Sequence, residues 1–228
     1  MIPLKDDNPA RSRPVVTWAL IALNVAAFAY TLSLGAEAGE RLIYSAGTIP
    51  FEITHMVDLS HRAVVPIPLT ILTGIFLHGG PLHLAGNMLY LWIFGNNVED
   101  AMGHLRFVGF YLLCGFIASF IHILSAPDST LPMIGASGAI AGILGAYAVL
   151  FPRARISTLV FVFFFVRMVS LPAVLLLGIW FLLQVLSAAQ GGPVAWFAHI
   201  GGFLAGALLI KPFTERYRYP ARASRHRR

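Results

Sequence analysis

Charge is scarce in this chain of 228 residues: Asp, Glu, Lys and Arg make up 11% of it, against about 25% in an ordinary soluble domain. With 57% hydrophobic residues gathered in apolar runs of roughly 20, the chain falls in the membrane class. Cysteine is nearly absent too. Cys114 is alone inside an apolar run, which excludes an intramolecular disulfide and a CxxC metal site. None of the ten Asp and Glu residues lies in the middle of an apolar run, so neither a paired-carboxylate site nor a Ser-His-Asp triad is available at that depth. No Glu follows any of the eight His, which excludes the His-Glu-x-x-His zinc motif. Internal repeats and low-complexity blocks are also lacking, and their absence disfavours a transporter built from repeats.

What is present is a net charge of +6 whose distribution points to lipid headgroups and not to nucleic acid, because Lys and Arg lie between apolar runs and in a short tail. The start carries signal-peptide features: Lys5, Arg11 and Arg13, an apolar run, then Ala27-Phe28-Ala29. That run nevertheless extends from Pro14 to Leu34, a full span, so cleavage is not expected. Six spans are expected, at about 14–34, 82–97, 107–124, 137–151, 171–188 and 194–210. They form a membrane domain over 14–211, between a short N-terminus, 1–13, and a basic tail, 212–228. The connection from Gly35 to Leu77 reads as short interfacial helices. The segment Ile156–Val169 reads either as an interfacial stretch or as the start of the fifth span. Glu99 and Arg106 read as a structural polar cluster between the second and third spans. With both termini inside, fourteen of the 16 Lys and Arg lie on the inner side, and only Arg41 and Arg62 lie outside.

One stretch organises the rest: Met133-Ile-Gly-Ala-Ser-Gly-Ala-Ile-Ala-Gly-Ile-Leu-Gly145. Small residues recur at helical spacing, Gly135, Gly138 and Ala141 among them, as on a close-packing helix face. By itself Ser137 is most simply another small residue there, and the soluble elbow G-x-S-x-G fails because Ala139 holds the place of its second Gly. Depth changes the reading. At about 1.5 Å per residue, Ser137 lies roughly 22 Å above the inner end of its helix, His199 roughly 18 Å, and His83 and Asn87 roughly 24 and 18 Å. These four groups share one layer on three helices that run in the same direction. A helix from Ser137 to Phe151 is too short to cross about 30 Å of hydrocarbon, so the loop before it must dip into the protein around a polar cavity. His83 and Asn87 share a helix face at i and i+4. Gly202 and Gly206, beside His199, supply a small face that pairs with that of the fourth helix.

The chemistry this layer permits is acyl transfer. Ser137 is the candidate nucleophile and His199 its general base and then acid. The Ser137 backbone N–H, His83 and Asn87 are the candidate oxyanion donors. His55, His61, His78, His104, His122 and His226 read as loop, interface or packing residues.

The motifs His83-Leu-Ala-Gly-Asn87, Gly135-Ala-Ser-Gly138, Ala198-His-Ile-Gly-Gly202 and Gly206, with the junction Glu99–Arg106, resemble those of rhomboid intramembrane serine proteases, over about residues 68–210. The resemblance implies an all-α bundle of six transmembrane helices with a water-accessible cavity. It implies hydrolysis of peptide bonds in membrane-anchored proteins, in or near a transmembrane segment, by a Ser137–His199 dyad with no metal or other cofactor. Its partners are then transmembrane protein substrates and the lipid bilayer, with no nucleic acid. Its place is a bacterial inner membrane, with the termini cytoplasmic and the site opening to the outer side. The sequence departs from some members of the family in two respects. Ala141 stands where they carry an aromatic residue stacking on the base histidine, and the first loop lacks their Trp-Arg pair. The competing readings are a non-catalytic rhomboid-like binder of membrane clients, which has no need of Ser137 and His199, and a small transporter, which the apolar inner halves of the fourth and sixth spans oppose.

Overall fold

The computed structural model describes residues 1–59, 65–162, 165–190, 192 and 194–214. His61, Arg62, His226 and the basic tail beyond Thr214 lie outside them. In chain order the elements are β1 (Ile2–Asp6), α1 (Val15–Ser33), α2 (Ala36–Ala46), α3 (Pro50–His55), α4 (Thr70–Thr73, between two 3₁₀ turns), α5 (Pro81–Met102), α6 (His104–Ser125), α7 (Ser137–Leu150), β2 (Arg155–Val162), β3 (Phe165–Pro172), α8 (Ala173–Gln190) and α9 (Trp196–Thr214).

The protein is a helical membrane bundle. Helices α1, α6, α8 and α9 are each long and apolar enough to cross a bilayer. The segment Ile67–Phe76 and α5 form a further apolar pair, bent by 79° at their junction. Helix α7 has only 14 residues and is about 21 Å long at 1.5 Å per residue. It is the central helix: every position from Gly138 to Tyr147 is buried, which is why its sequence is apolar all round. Around it lie Phe94, Phe107, Phe110, Tyr111, Leu177 and Ile210, all fully buried. The outer helices show the complementary pattern, with Leu23, Tyr30 and Leu32 of α1 and Leu175, Leu182 and Leu186 of α8 turned outward.

Small residues set the separation of α7 and α9. A Cβ on Gly202 would collide with the carbonyl of Gly138, one on Gly206 with that of Gly142, and one on Gly145 with that of Phe203. The two backbones therefore touch directly, and this contact fixes the position of His199 relative to Ser137.

Two segments differ from the sequence-based expectation. Residues 156–162 and 165–169 are not the start of the fifth span, whose helix α8 begins only at Ala173. They belong to the antiparallel hairpin β2–β3, in register from Arg155 opposite Pro172 to Val162 opposite Phe165. β1 is paired to its outer edge. The run Arg155-Ile-Ser-Thr-Leu-Val-Phe-Val is rich in β-branched residues, Ile156 and Thr158 point inward, and Arg167 stays exposed; a span through this segment would have placed Arg167 in hydrocarbon at a cost of several kcal/mol. Likewise α5 does not end near Asn97 but continues to Met102, with only Gly103 (φ 82°) separating it from α6.

The extension of α5 has a physical cause. Glu99 is fully buried and accepts from the backbone N–H groups of Val16 (2.9 Å) and Thr17 (2.8 Å), the Thr17 hydroxyl (2.7 Å) and His104 Nδ1 (2.6 Å). Helix α1 has no side-chain cap of its own at Pro14, so a carboxylate from α5 caps it and faces the positive end of its dipole. Asp100 likewise holds the backbone N–H and hydroxyl of Ser12. Arg106, expected beside Glu99, turns instead to the carbonyl of Phe213 in α9.

Candidate active site

Ser137 is the first residue of α7, and the loop that delivers it is fixed from outside the helix. Met133 and Thr48 exchange backbone hydrogen bonds of 3.1 and 2.7 Å, and the Gly135 N–H donates to the Gly74 carbonyl at 2.9 Å. The first loop is thus a scaffold for the serine. It is anchored in turn where Phe51 N–H donates to the Ser129 carbonyl (3.0 Å) and the Thr54 hydroxyl to that of Pro127 (2.9 Å).

Gly135, expected on the packing face of the fourth helix, lies before it with φ +118°. A Cβ there would sit 2.7 Å from His83 Nε2 and 3.8 Å from Ser137 Oγ. Glycine is needed for two reasons, the left-handed backbone and the His83 ring lying directly over it. Gly138 and Ala141 do face neighbouring helices. Gly138 meets Ala118 of α6 and Ala198 of α9, and Ala141 is fully buried against Gly202.

Across the α7–α9 contact, Ser137 Oγ and His199 Nε2 are 2.8 Å apart. His83 and Asn87 of α5 line the same cavity, of about 680 Å³, together with Tyr90, Trp180 and Trp196. One Asn87 amide N–H donates back to the His83 carbonyl at 3.0 Å, which leaves the second N–H of the amide. The N–H groups in the first turn of α7 have no intrahelical acceptor and lie at the positive end of the helix. The four residues placed in one layer by depth therefore meet at one cavity.

Three neighbours of the site escaped the sequence reading. Gln184 of α8 places Oε1 2.8 Å from His199 Nδ1. The rings of Trp180 and Trp196 stand 6.1 and 5.9 Å from the His199 ring, so the histidine is packed by aromatic side chains from α8 and α9 where Ala141 offers none. His78, read as a loop, interface or packing residue, is buried with its ring 5.1 Å from that of His83.

A family model described as Rhomboid domain matches residues 68–216. The chain is 32% identical to Rhomboid protein 1, mitochondrial, of Saccharomyces cerevisiae over 161 residues, 66% of this chain and 43% of that protein. It is 35% identical to Rhomboid protease GluP of Bacillus subtilis over 146 residues, 62% of this chain and 26% of the relative. With the Presenilin-associated rhomboid-like protein, mitochondrial, of Mus musculus the identity is 30% over 147 residues, 61% and 36% of the two chains. The chain thus spans less than half the length of each of these curated relatives.

Proposed function

The chain belongs to the rhomboid family and is an integral membrane protein; from that premise we propose that it is an intramembrane serine endopeptidase, which cleaves membrane-anchored proteins in or near a transmembrane segment. The observation that carries the proposal is the 2.8 Å approach of Ser137 Oγ to His199 Nε2 at a cavity also lined by His83 and Asn87. A binder of membrane clients has no use for this pair.

In the proposed reaction Ser137 Oγ attacks the carbonyl carbon of the scissile peptide while His199 Nε2 takes its proton. The oxygen of the tetrahedral intermediate becomes negative and is met by the Ser137 N–H, the His83 ring and the free N–H of Asn87. Collapse breaks the C–N bond, and the proton on His199 Nε2 passes to the departing amine. Water then enters, gives a proton to His199 and attacks the acyl-serine ester; the proton returns to Ser137 Oγ as the ester bond breaks. The residues at this site need no metal or cofactor for these steps. The substrates are transmembrane proteins, single-pass ones among them. The Lys and Arg distribution supports cytoplasmic termini and a cavity opening on the opposite side, and the Glu99–Arg106 junction supports a bacterial inner membrane.

Labelling by a serine-directed fluorophosphonate tests the proposal. Folded wild-type protein is expected to take up one label at Ser137, with none in Ser137→Ala and little in His199→Ala. Folded protein that takes up no label contradicts an activated serine and favours the binder.

A further inference from the structure

Gln184 is the polar side chain that reaches the far side of His199. It sits in α8 among Leu182, Leu183, Val185 and Leu186 and is 7% exposed. A buried amide is retained only where its donor and acceptor are both used, and here both are. Nε2 donates to the Trp180 carbonyl, one helical turn back, at 3.0 Å, and Oε1 faces His199 Nδ1 at 2.8 Å.

These two contacts together fix a proton. A backbone carbonyl only accepts, so the group turned toward Trp180 must be the amide NH₂, and the group turned toward His199 must be the oxygen. An amide oxygen also only accepts, so His199 Nδ1 must carry the hydrogen. Neutral imidazole has one N–H, which leaves Nε2 with a lone pair directed at the Ser137 hydroxyl 2.8 Å away. That is the tautomer a general base requires.

We propose that Gln184 is the positioning residue of the dyad: through His199 Nδ1 it sets the tautomer and the ring orientation that let Nε2 take the proton of Ser137. The proposal rests on the protease reading above. It gives the amide the orienting part of a triad carboxylate without placing a charge in the bundle. During acylation the proton of Ser137 moves to Nε2, both ring nitrogens then carry hydrogen, and the Nδ1–H bond to Gln184 is kept. No proton passes to the amide. When the C–N bond breaks, the Nε2 proton leaves with the amine and the starting tautomer returns.

The test compares wild type with Gln184→Met, which keeps length without a comparable acceptor, with Gln184→Ala, which removes the side chain, and with Gln184→Glu, which keeps an acceptor oxygen at the same reach. Each protein is reconstituted in lipid with a single-pass substrate. The expected result for Met and Ala is a kcat about 10- to 100-fold lower with KM within about twofold, and Glu is expected to recover most of the loss. A second reading uses ¹⁵N spectra of the His199 ring, identified by the signals missing in His199→Ala. Wild type is expected to show a protonated Nδ1 and a bare Nε2, and Gln184→Met a mixture of tautomers.

Wild-type kcat in Gln184→Met, an equal loss in Met and Glu, or an unchanged Nδ1–H signal in Gln184→Met overturns the positioning role. The spectrum needs no substrate, so it decides on Gln184 even if cleavage fails. Wild-type kcat in Gln184→Met beside an inactive Ser137→Ala overturns only the role of Gln184. Cleavage that persists in Ser137→Ala overturns the protease reading beneath it.

Discussion

Gly206 of α9 lies so close to the backbone of Gly142 in α7 that a Cβ added to Gly206 would overlap the Gly142 carbonyl. The opposing atom is main chain and cannot rotate away, so one methyl group must push the helices apart. Gly206→Ala is expected to destabilise the protein by about 1–3 kcal/mol or more. It should also slow cleavage, because α9 carries His199. Gly109→Ala in α6, where an added Cβ meets nothing within 4 Å, is expected to leave the thermal midpoint unchanged or higher. Equal midpoints for the two variants would contradict the close-contact account.

Gly135→Ala separates the geometry of the site from the stability of the fold. Its φ of +118° is strained for alanine, at a cost of about 1–3 kcal/mol, and the methyl group displaces the His83 ring. If His83 is an oxyanion donor, kcat falls by about 10²–10³, while the folded protein persists at room temperature. Thermal unfolding and a kcat measurement on one preparation check both parts.

Glu99 joins α1 to α5 through two backbone N–H groups, a hydroxyl and His104. Glu99→Ala is expected to cost about 2 kcal/mol or more, the sum of a lost cap and of donors left in a buried place. Glu99→Gln keeps one acceptor oxygen and should cost less. Chemical denaturation of the two variants ranks them, and the reverse order contradicts the capping role.

Asp6 in β1 accepts from the Tyr147 hydroxyl at 2.7 Å. Burial, with Asp7 adding to it, pushes its carboxyl above the ordinary carboxylate range. The folded state therefore holds this proton more tightly than the unfolded state. The resulting stability is fully present below the ordinary carboxylate value and is lost as pH rises through the raised one. Asp6→Asn keeps an oxygen for Tyr147 and has no proton to lose. Its midpoint is expected to vary less with pH across that window and to equal or exceed wild type at pH 7. Parallel pH profiles for the two proteins contradict this assignment.

The bundle was legible from long apolar runs punctuated by charge, and the site from depth arithmetic on Ser137, His199, His83 and Asn87. The hairpin β2–β3 was not, because a short apolar stretch of β-branched residues next to a span looks like more span, and its partner β1 lies about 150 residues away in sequence. The continuation of α5 through Glu99 and Asp100 was hidden because their donors belong to α1 and the segment before it. Gln184 did carry a signal. It is an amide inside an apolar run, 13 residues beyond Leu171 where the fifth span was expected to begin, or about 20 Å up at 1.5 Å per residue. The arithmetic used for the other four places it in their layer. Its direction toward His199 depends on how α8 is rotated against α9, and an apolar helix sequence does not encode that rotation.

The most direct measurement is cleavage of a single-pass membrane protein by purified protein in lipid vesicles, with wild type, Ser137→Ala and His199→Ala compared at equal folded concentration. Wild type is expected to yield two fragments cut in or near the transmembrane segment, and each variant to lose at least about 10³ of the rate. Cleavage by Ser137→Ala at the wild-type rate would contradict the assignment of Ser137 as nucleophile, and with it the proposed reaction.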